Sequence, residues 1–474
     1  MKNITLVEAA KGMSELGVYQ RHGSFDPIGL EYLGAVLDGS GYNIFILKQR
    51  KESSKEFLEK ILSTNPDLVG FSTYSYNFQH SKNLAAMIKG TNPEVYTVFG
   101  NVHISSHPTD VDDTSIDFGI MGEGEYVIRD LVKALDKGYD VRNLESLVYW
   151  SKGVKINPRR GRIENLDELP FPLRTEDLIK ENKTVLMYPS TKEQKLAAIN
   201  YSRGCTFACP YCSSDNIWGK NVNWRSAKNL VDEIEYLKKK YDINTLFFTD
   251  LTFNLNKEKI SELCDEIIDR DIEISWYSML RLEDMKGKPM INRELLERMR
   301  RAGCNKVAFG IETFNEEILT SYNKKVSFEN TRDILDLTHQ LGIINKGYFM
   351  IGEPFLETKK TINEIKRNLT ELPFDIIRIV YLTPFPGTSI YDRYKEKIIT
   401  KDWARYTSEE PIFSLNNLNQ EELMEARKDI LSSFYTSENY LKTIRSKIRR
   451  FPHLREAFEE FFEFLSCEGI RVSL

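Results

Sequence analysis

The pattern that most constrains this chain is an alternation of short, β-rich apolar runs with segments of helical periodicity, and it occurs twice. In the first series, runs at 4–7, 42–47, 68–73, 95–100 and 118–121 alternate with helical patterns at 30–37, 57–62 and 84–88. Units of this size predict a parallel, doubly wound α/β sheet with helices on both faces. A second series has strand runs at 196–200, 245–249, 274–278, 306–311, 347–351 and 376–382. Its helices show apolar spacing such as Leu230, Ile234 and Leu237. Six units are too few for a closed eight-stranded barrel and predict an open, partial (β/α)6 one. Between the series, residues 157–194 become charged and Pro-containing, as in Glu168-Leu-Pro-Phe-Pro172. Pro excludes regular helix and central strand there, so this stretch reads as a linker.

The expected organisation is therefore a doubly wound domain over 1–156, a linker over 157–194, a partial barrel over 195–393 and a helical region over 394–474. In the last region Phe434, Tyr435, Phe458, Phe461, Phe462 and Phe464 read as packing residues of a cap over the barrel mouth. Roughly three domains suit 474 residues. A content of 41% apolar and 28% charged residues is that of an ordinary globular chain. A net charge of -5 gives no reason to expect nucleic acid, and the basic stretch at 442–455 reads as a solvated helix face. The opening MKNITLVEAAKG lacks an apolar signal core, and no run approaches the roughly 18 apolar residues of a membrane span. The expectation is a cytoplasmic protein with small-molecule and protein partners.

Six cysteines are too few for a disulfide framework. Three of them stand in Arg203-Gly204-Cys205-Thr-Phe-Ala-Cys209-Pro-Tyr211-Cys212, directly after the first strand of the second series. Barrels gather their sites at that edge. Structural zinc takes four ligands in a closed tetrahedron. No fourth ligand is nearby, since Cys264 lies in a helical pattern and Cys304 and Cys467 are isolated. A four-iron cluster uses one ligand per iron, so three thiolates leave one iron open to a substrate or cofactor.

This CxxxCxxC phrase, with Tyr211 before its last Cys, resembles the signature of the radical S-adenosylmethionine (SAM) superfamily. The resemblance continues in order through Phe247-Phe-Thr-Asp250 with Phe253, Arg281, Gly310-Ile-Glu312, Tyr348-Phe-Met-Ile-Gly352 and Thr383-Pro-Phe-Pro-Gly387-Thr388. It implies a [4Fe-4S] cluster on Cys205, Cys209 and Cys212 whose open iron chelates the amino and carboxylate groups of SAM. Reductive cleavage would then give methionine and a 5'-deoxyadenosyl radical, with the electron supplied by an external reductant such as flavodoxin or ferredoxin. Tyr211 would lie near the adenine. Asp250, Arg281 and Glu312 are candidate SAM contacts: Glu312 for the amino group or ribose, Arg281 for a carboxylate through its planar fork. A salt-bridged barrel rim is the competing reading of all three. Where many relatives read Pro-Gly-Glu-Thr after the fifth strand, this chain has the longer Pro354-Phe-Leu-Glu357-Thr358.

A doubly wound domain joined to such a barrel resembles the cobalamin (B12)-binding radical SAM enzymes, class B methyltransferase-like, over most of the chain. The implied fold is a Rossmann-like (flavodoxin-like) cobalamin domain, a TIM-type partial barrel and a helical end. Ligands of doubly wound sheets bind beyond the carboxyl ends of the strands. Where methionine-synthase-type domains carry Asp-x-His-x-x-Gly, the chain reads Ser24-Phe-Asp26-Pro27-Ile28-Gly29. The Gly is kept, and Asp26 stands in place of the cobalt-ligating His. Either cobalamin binds without a lower protein histidine, or the domain has lost it. His22 nearby reads as a surface-loop residue.

Ser72, Thr73, Tyr74 and Ser75 after the third strand, Gly100 and His103 after the fourth, and Gly122 and Glu123 after the fifth complete the candidate cobalamin contacts. Strand-end polarity, loop packing and helix capping are their competing readings. No GxGxxG follows the first strand and no P-loop occurs, which argues against nicotinamide and ATP. The activity implied is methylation of an unactivated carbon of a small natural-product molecule through methylcobalamin. One SAM would remethylate the cofactor and a second would provide the radical. Three alternatives stand beside it: a cobalamin-binding radical SAM cyclase or rearrangement enzyme, a radical SAM enzyme whose first domain no longer binds cobalamin, and an iron-sulfur electron carrier. The motifs name neither a substrate nor an oligomeric state.

Overall fold

The structure is a computed structural model that describes residues 1–10 and 23–472. His22 lies outside the described residues. The first series forms one sheet from β1 (Asn3–Glu8), β2 (Asn43–Lys48), β3 (Leu68–Ser72), β4 (Tyr96–Gly100) and β5 (Phe118–Ile120), parallel and in the order β2-β1-β3-β4-β5. Every residue of β3 is buried, as expected of a parallel strand covered on both faces. On one face, α1 (Ile28–Leu37) and α4 (Glu125–Asp136) bury Leu30, Leu37, Ile128 and Leu131. On the other, α2 (Ser54–Ser63) and α3 (Ser75–Thr91) bury Phe57, Ile61, Leu84 and Ile88. Ser53 and Glu56 form a reciprocal capping box that starts α2. The sheet continues into an antiparallel hairpin, β6 (Leu147–Trp150) and β7 (Val154–Ile156), which was not among the expected strands.

The second series forms an open parallel sheet of β8 (Leu196–Ile199), β9 (Thr245–Phe248), β10 (Ser275–Leu280), β11 (Cys304–Glu312), β12 (Ile344–Ile351) and β13 (Ile376–Tyr381), paired in sequential order. Alternation along the strands separates two faces. Trp276, Val307, Phe309, Phe349 and Ile379 join the helices in the main core, which includes Leu230, Ile234 and Leu237 of α5 (Ala227–Tyr241). Phe247, Tyr277, Met279, Ala308 and Tyr348 form a separate cluster with Met187 on the inner face.

Residues 157–194 pack between the two sheets. Arg174 is buried there, pairing with Asp26 and Glu31 of the first domain and Glu233 of α5.

The expected cap over the barrel mouth is corrected by the structure. The helices Gln420–Tyr435, Glu438–Arg450 and Arg455–Cys467 bury Phe434, Tyr435, Phe458 and Phe461 in the main core. Tyr435 both accepts from the Ile377 amide and donates to the Ile377 carbonyl on β13. Lys447 donates to Ile343 and pairs with Asp375, at the amino ends of β12 and β13. An uncovered edge strand is a pairing hazard, and these helices cover it. Among the described residues of this region, Thr407 and Glu409 of the preceding stretch line the cavity described below. Among the described residues, no helix is long and apolar enough to cross a membrane.

Candidate functional site

The carboxyl edges of the two sheets contribute to one cavity of about 1080 Å³. Ligand sites commonly span about 300–1,000 Å³, so this one suits a large guest. Loops after β1, β3, β4 and β5 line one side, including Pro27, Ile28, Gly29, Ser72, Tyr74, Gly100, Gly122 and Glu123. Asn200, Ser202, Arg203 and Gly204, following β8, line the other. A Cβ added at Gly29, in the first turn of α1, would meet nothing within 4 Å, and one at Gly100 would meet only the Ile120 carbonyl oxygen at 3.7 Å. Those two positions leave the backbone open to a large planar group. Tyr74 and Tyr76 stack with ring centroids 5.4 Å apart on the same wall.

Four nominated side chains of this domain are committed elsewhere. The Asp26 carboxylate is fully buried. It accepts from Arg174 at 3.0 Å, from the Ala198 amide at 3.2 Å and from Asn182. A buried carboxylate needs such partners, so Asp26, which also borders the cavity, ties the two domains together. The Thr73 hydroxyl donates to the Gly100 carbonyl at 2.7 Å. Ser75 bonds His103 Nδ1 at 3.1 Å, and His103 Nε2 bonds Asp110 at 3.1 Å. His103 also stacks on Phe78 with centroids 4.1 Å apart, and burial pulls its imidazole pKa down. Thr73, Ser75 and His103 do not line the cavity. Glu123 lines it, but Arg203 takes its carboxylate at 3.0 Å and the Ile163 amide donates to it at 2.9 Å.

The cysteine loop begins at Gly204, whose φ of 107° and close approach to the Asn221 carbonyl oxygen admit only glycine. The Cys212 amide donates to the Cys209 carbonyl at 3.0 Å, which curls the loop. Each sulfur has its own neighbour: Thr252 Oγ1 is 3.7 Å from Cys205, Arg281 Nη1 donates to Cys209 at 3.6 Å, and the Cys212 thiol donates to Ser214 at 3.2 Å. Burial, and then the other two thiols, raise the Cys212 pKa against the Ser214 bonds. Among the described residues, no group of three or more His, Cys, Asp or Glu side chains converges as a single-ion site. A cubane does not require that convergence, because each thiolate binds a different iron. Cys264 and Cys304 are buried in the core.

Three of the four nominated SAM contacts gather around these cysteines. The Arg281 guanidinium lies 3.7 Å from the Phe207 ring centroid, and its Nε donates to the Glu283 carbonyl at 2.8 Å. The Tyr211 hydroxyl donates to Glu312 Oε1 at 3.2 Å, and Lys324 pairs with the same oxygen at 2.7 Å. Glu312 has a φ of 68°, at a register shift where β11 meets β12.

Asp250 is the exception and a correction. Its carboxylate accepts from the amides of Tyr201 at 3.0 Å and Ser202 at 2.6 Å, and from the Ser202 hydroxyl at 2.5 Å. Burial pushes its pKa up to about 6 despite those bonds. It fixes the backbone leading into the cysteine loop. The longer loop after β12 folds around its own acids. Glu353 accepts from the amides of Phe355 and Leu356, and Glu357 accepts from the Gly352 amide and the Thr361 hydroxyl.

Sequence reasoning missed Arg203, Phe207, Lys324 and Arg174. Arg203 pairs with Glu123 at 3.0 Å and Glu125 at 2.7 Å and lies over the Tyr32 ring, tying the cysteine phrase to the first domain. Its place two residues before Cys205 was its only signal. Lys324 sits in an irregular stretch with no periodic cue.

Residues 17–132 match the B12 binding domain, and residues 199–369 match the Radical SAM superfamily. The chain is 27% identical over 416 residues to an uncharacterized methyltransferase of Pyrococcus horikoshii, covering 86% of this chain and 87% of that one. It is also 27% identical over 431 residues to the anaerobic magnesium-protoporphyrin IX monomethyl ester cyclase of Rubrivivax gelatinosus, covering 89% and 75%. Among solved structures, the radical S-adenosylmethionine methyltransferase TsrM from Kitasatospora setae, with cobalamin and a [4Fe-4S] cluster bound, superposes with a TM-score of 0.71. That match covers 97% of this chain and 100% of the other at 16% identity, a likeness of fold.

Proposed function

Because the chain belongs to the cobalamin-binding radical SAM enzymes, we propose that it methylates an unactivated carbon of a small organic molecule. The observation that carries this reading is the shared cavity, whose walls are the open glycine edge of one sheet and the entrance to the cysteine loop of the other. When bound, the cluster supplies an electron to SAM and the cobalamin supplies a methyl group.

Cys205, Cys209 and Cys212 would hold the cluster. Arg281, donating to the Cys209 sulfur, places a positive charge beside it, which would raise the potential at which a bound cluster accepts an electron. Glu312 would receive the amino group or ribose hydroxyls of SAM while Lys324 and Tyr211 keep its carboxylate oriented. Gly29 and Gly100 would let the corrin or its nucleotide tail approach the backbone, with Pro27, Ile28, Ser72, Tyr74 and Gly122 completing the wall. With Asp26 and His103 engaged in buried bonds, a bound cobalamin would take no ligand from either of them. An external one-electron donor of the flavodoxin or ferredoxin class would feed the cluster. The equal identity to a cyclase supports a second reading, with the same cofactors and ring closure in place of methyl transfer.

Anaerobic reconstitution followed by incubation with SAM and dithionite tests the reading. Formation of 5'-deoxyadenosine is expected, and its absence from a chain with an intact cluster overturns the radical chemistry. Failure to retain cobalamin through gel filtration overturns methyl transfer alone. Product mass separates the readings, since methylation adds one CH2 unit and ring closure does not.

A further inference from the structure

The inner face of the barrel carries charge that the site above does not use. Pairing sets Tyr277 beside Lys306, Ala308 beside Lys346 and Tyr348 beside Arg378. Alternation turns all six to one face. Lys346 is only 5% exposed, and its Nζ lies 4.6 Å from the Tyr348 ring centroid. Among the described residues, no carboxylate pairs with it.

Arg378 and Arg427 each approach the Glu409 carboxylate at 2.6 Å. Lys306 donates to the Val185 carbonyl at 2.6 Å, and burial, reinforced by Lys346, holds its pKa well down. Burial alone would raise the Tyr348 phenol, yet Lys346, the Tyr277 hydroxyl and Arg378 bring it below its ordinary value. A buried cation without an anion is costly, and among the described residues Lys346 has no carboxylate to answer it.

The space beside these groups is not packed shut. Phe247, Met279, Tyr348, Arg378 and Val380 point inward yet stay partly exposed, and Ala308 and Gly310 add little bulk between them. An aromatic slab leads toward this floor from the cavity. Phe25, on the cavity wall, lies 4.3 Å from Phe247 between centroids, and Phe247 stacks on Tyr277 at 4.9 Å.

We propose that Lys346, with the Tyr348 hydroxyl and Arg378, binds an oxyanion of the substrate, a carboxylate or phosphoryl group, while Phe25, Phe247 and Tyr277 hold its apolar body. This names a substrate class for the activity proposed above and rests on that reading. The reacting carbon then lies on the apolar part, away from the charged end, and Lys346 selects against neutral analogues.

The full-length chain with reconstituted cluster is titrated calorimetrically with hydrocinnamate, its uncharged amide hydrocinnamamide, and phenethyl phosphate. At least one oxyanion is expected to bind about tenfold more tightly than the amide, the size of one well-made charged contact. The tighter of the two identifies carboxylate or phosphoryl as the source. Lys346→Met should abolish the preference and Lys346→Arg should restore it. Equal binding of oxyanions and amide by the wild type, no binding of any, or a preference that survives Lys346→Met overturns the proposal. SAM cleavage by the wild type is scored separately. Its failure beside an intact oxyanion preference refutes the methylation reading alone, and the converse refutes this one alone.

Discussion

The two carboxyl edges that meet at the cavity use their polar residues in opposite ways. In the first domain Asp26, Thr73, Ser75 and His103 are absorbed into buried bonds, and the glycines, Pro27 and the stacked tyrosines share the cavity wall with charged side chains such as Lys48 and Glu123. In the barrel Arg281, Glu312 and Tyr211 stay close to the cysteine sulfurs, each held by a neighbour that leaves it near the loop. The difference fits the cofactor class of each matched domain. A large, mostly neutral macrocycle needs shape and backbone access, whereas a cluster and a zwitterionic cosubstrate need charges fixed in place.

Removing one thiolate should break the barrel edge alone. Cys209→Ala is expected to abolish four-iron absorbance and SAM cleavage, while cobalamin still co-elutes in gel filtration; loss of both cofactors together would show that the edges are not separable. Next in size is the joint between them. Arg174→Met leaves Asp26, Glu31 and Glu233 short of a partner, so stability in urea should fall by about 3–5 kcal/mol. A change below about 1 kcal/mol would mean that the buried charges find other partners.

The barrel edge also holds acids for structure, and pH reads one of them. Burial, with the nearby Glu353 adding to it, raises Glu357 to about 7 from an ordinary 4.5. The folded state therefore favours the protonated form. Its stabilising contribution is complete below about pH 4.5 and is lost as pH rises through about 7. Urea unfolding at several pH values between about 5 and about 8 should show the wild type losing roughly 1–3 kcal/mol more than Glu357→Gln. Parallel pH curves would refute this role. The smallest expected effect sharpens the other edge. Gly29→Phe projects into open space, so it should weaken cobalamin retention about tenfold, or about 1.4 kcal/mol. Iron content should not change, and unaltered cobalamin binding would move the corrin away from α1.

Both sheets were legible because their strands are apolar runs of regular spacing, and some of the positions after the strands, such as Gly29, Ser72 and Gly100, line the cavity. Which side chains remain free there was not legible. Asp26 finds Arg174 across 148 residues of sequence, and His103 finds Ser75 across 28. No local pattern records such pairings. The aromatic helices near the chain end were recognisable as packing elements, yet periodicity gives a helix an apolar face without saying which surface it covers. That surface turned out to be the edge of β13 and not the barrel mouth. Lys346 was passed over for a related reason: in a strand of apolar neighbours it reads as an isolated polar residue, and only the pairing with β11 and β13 puts it beside Tyr348 and Arg378.

Metal analysis reads both edges at once. After anaerobic reconstitution with iron, sulfide and hydroxocobalamin, the chain leaving a gel-filtration column should carry about four iron atoms and one cobalt. Iron without cobalt, or cobalt without iron, would contradict a cavity built to bring the two cofactors together.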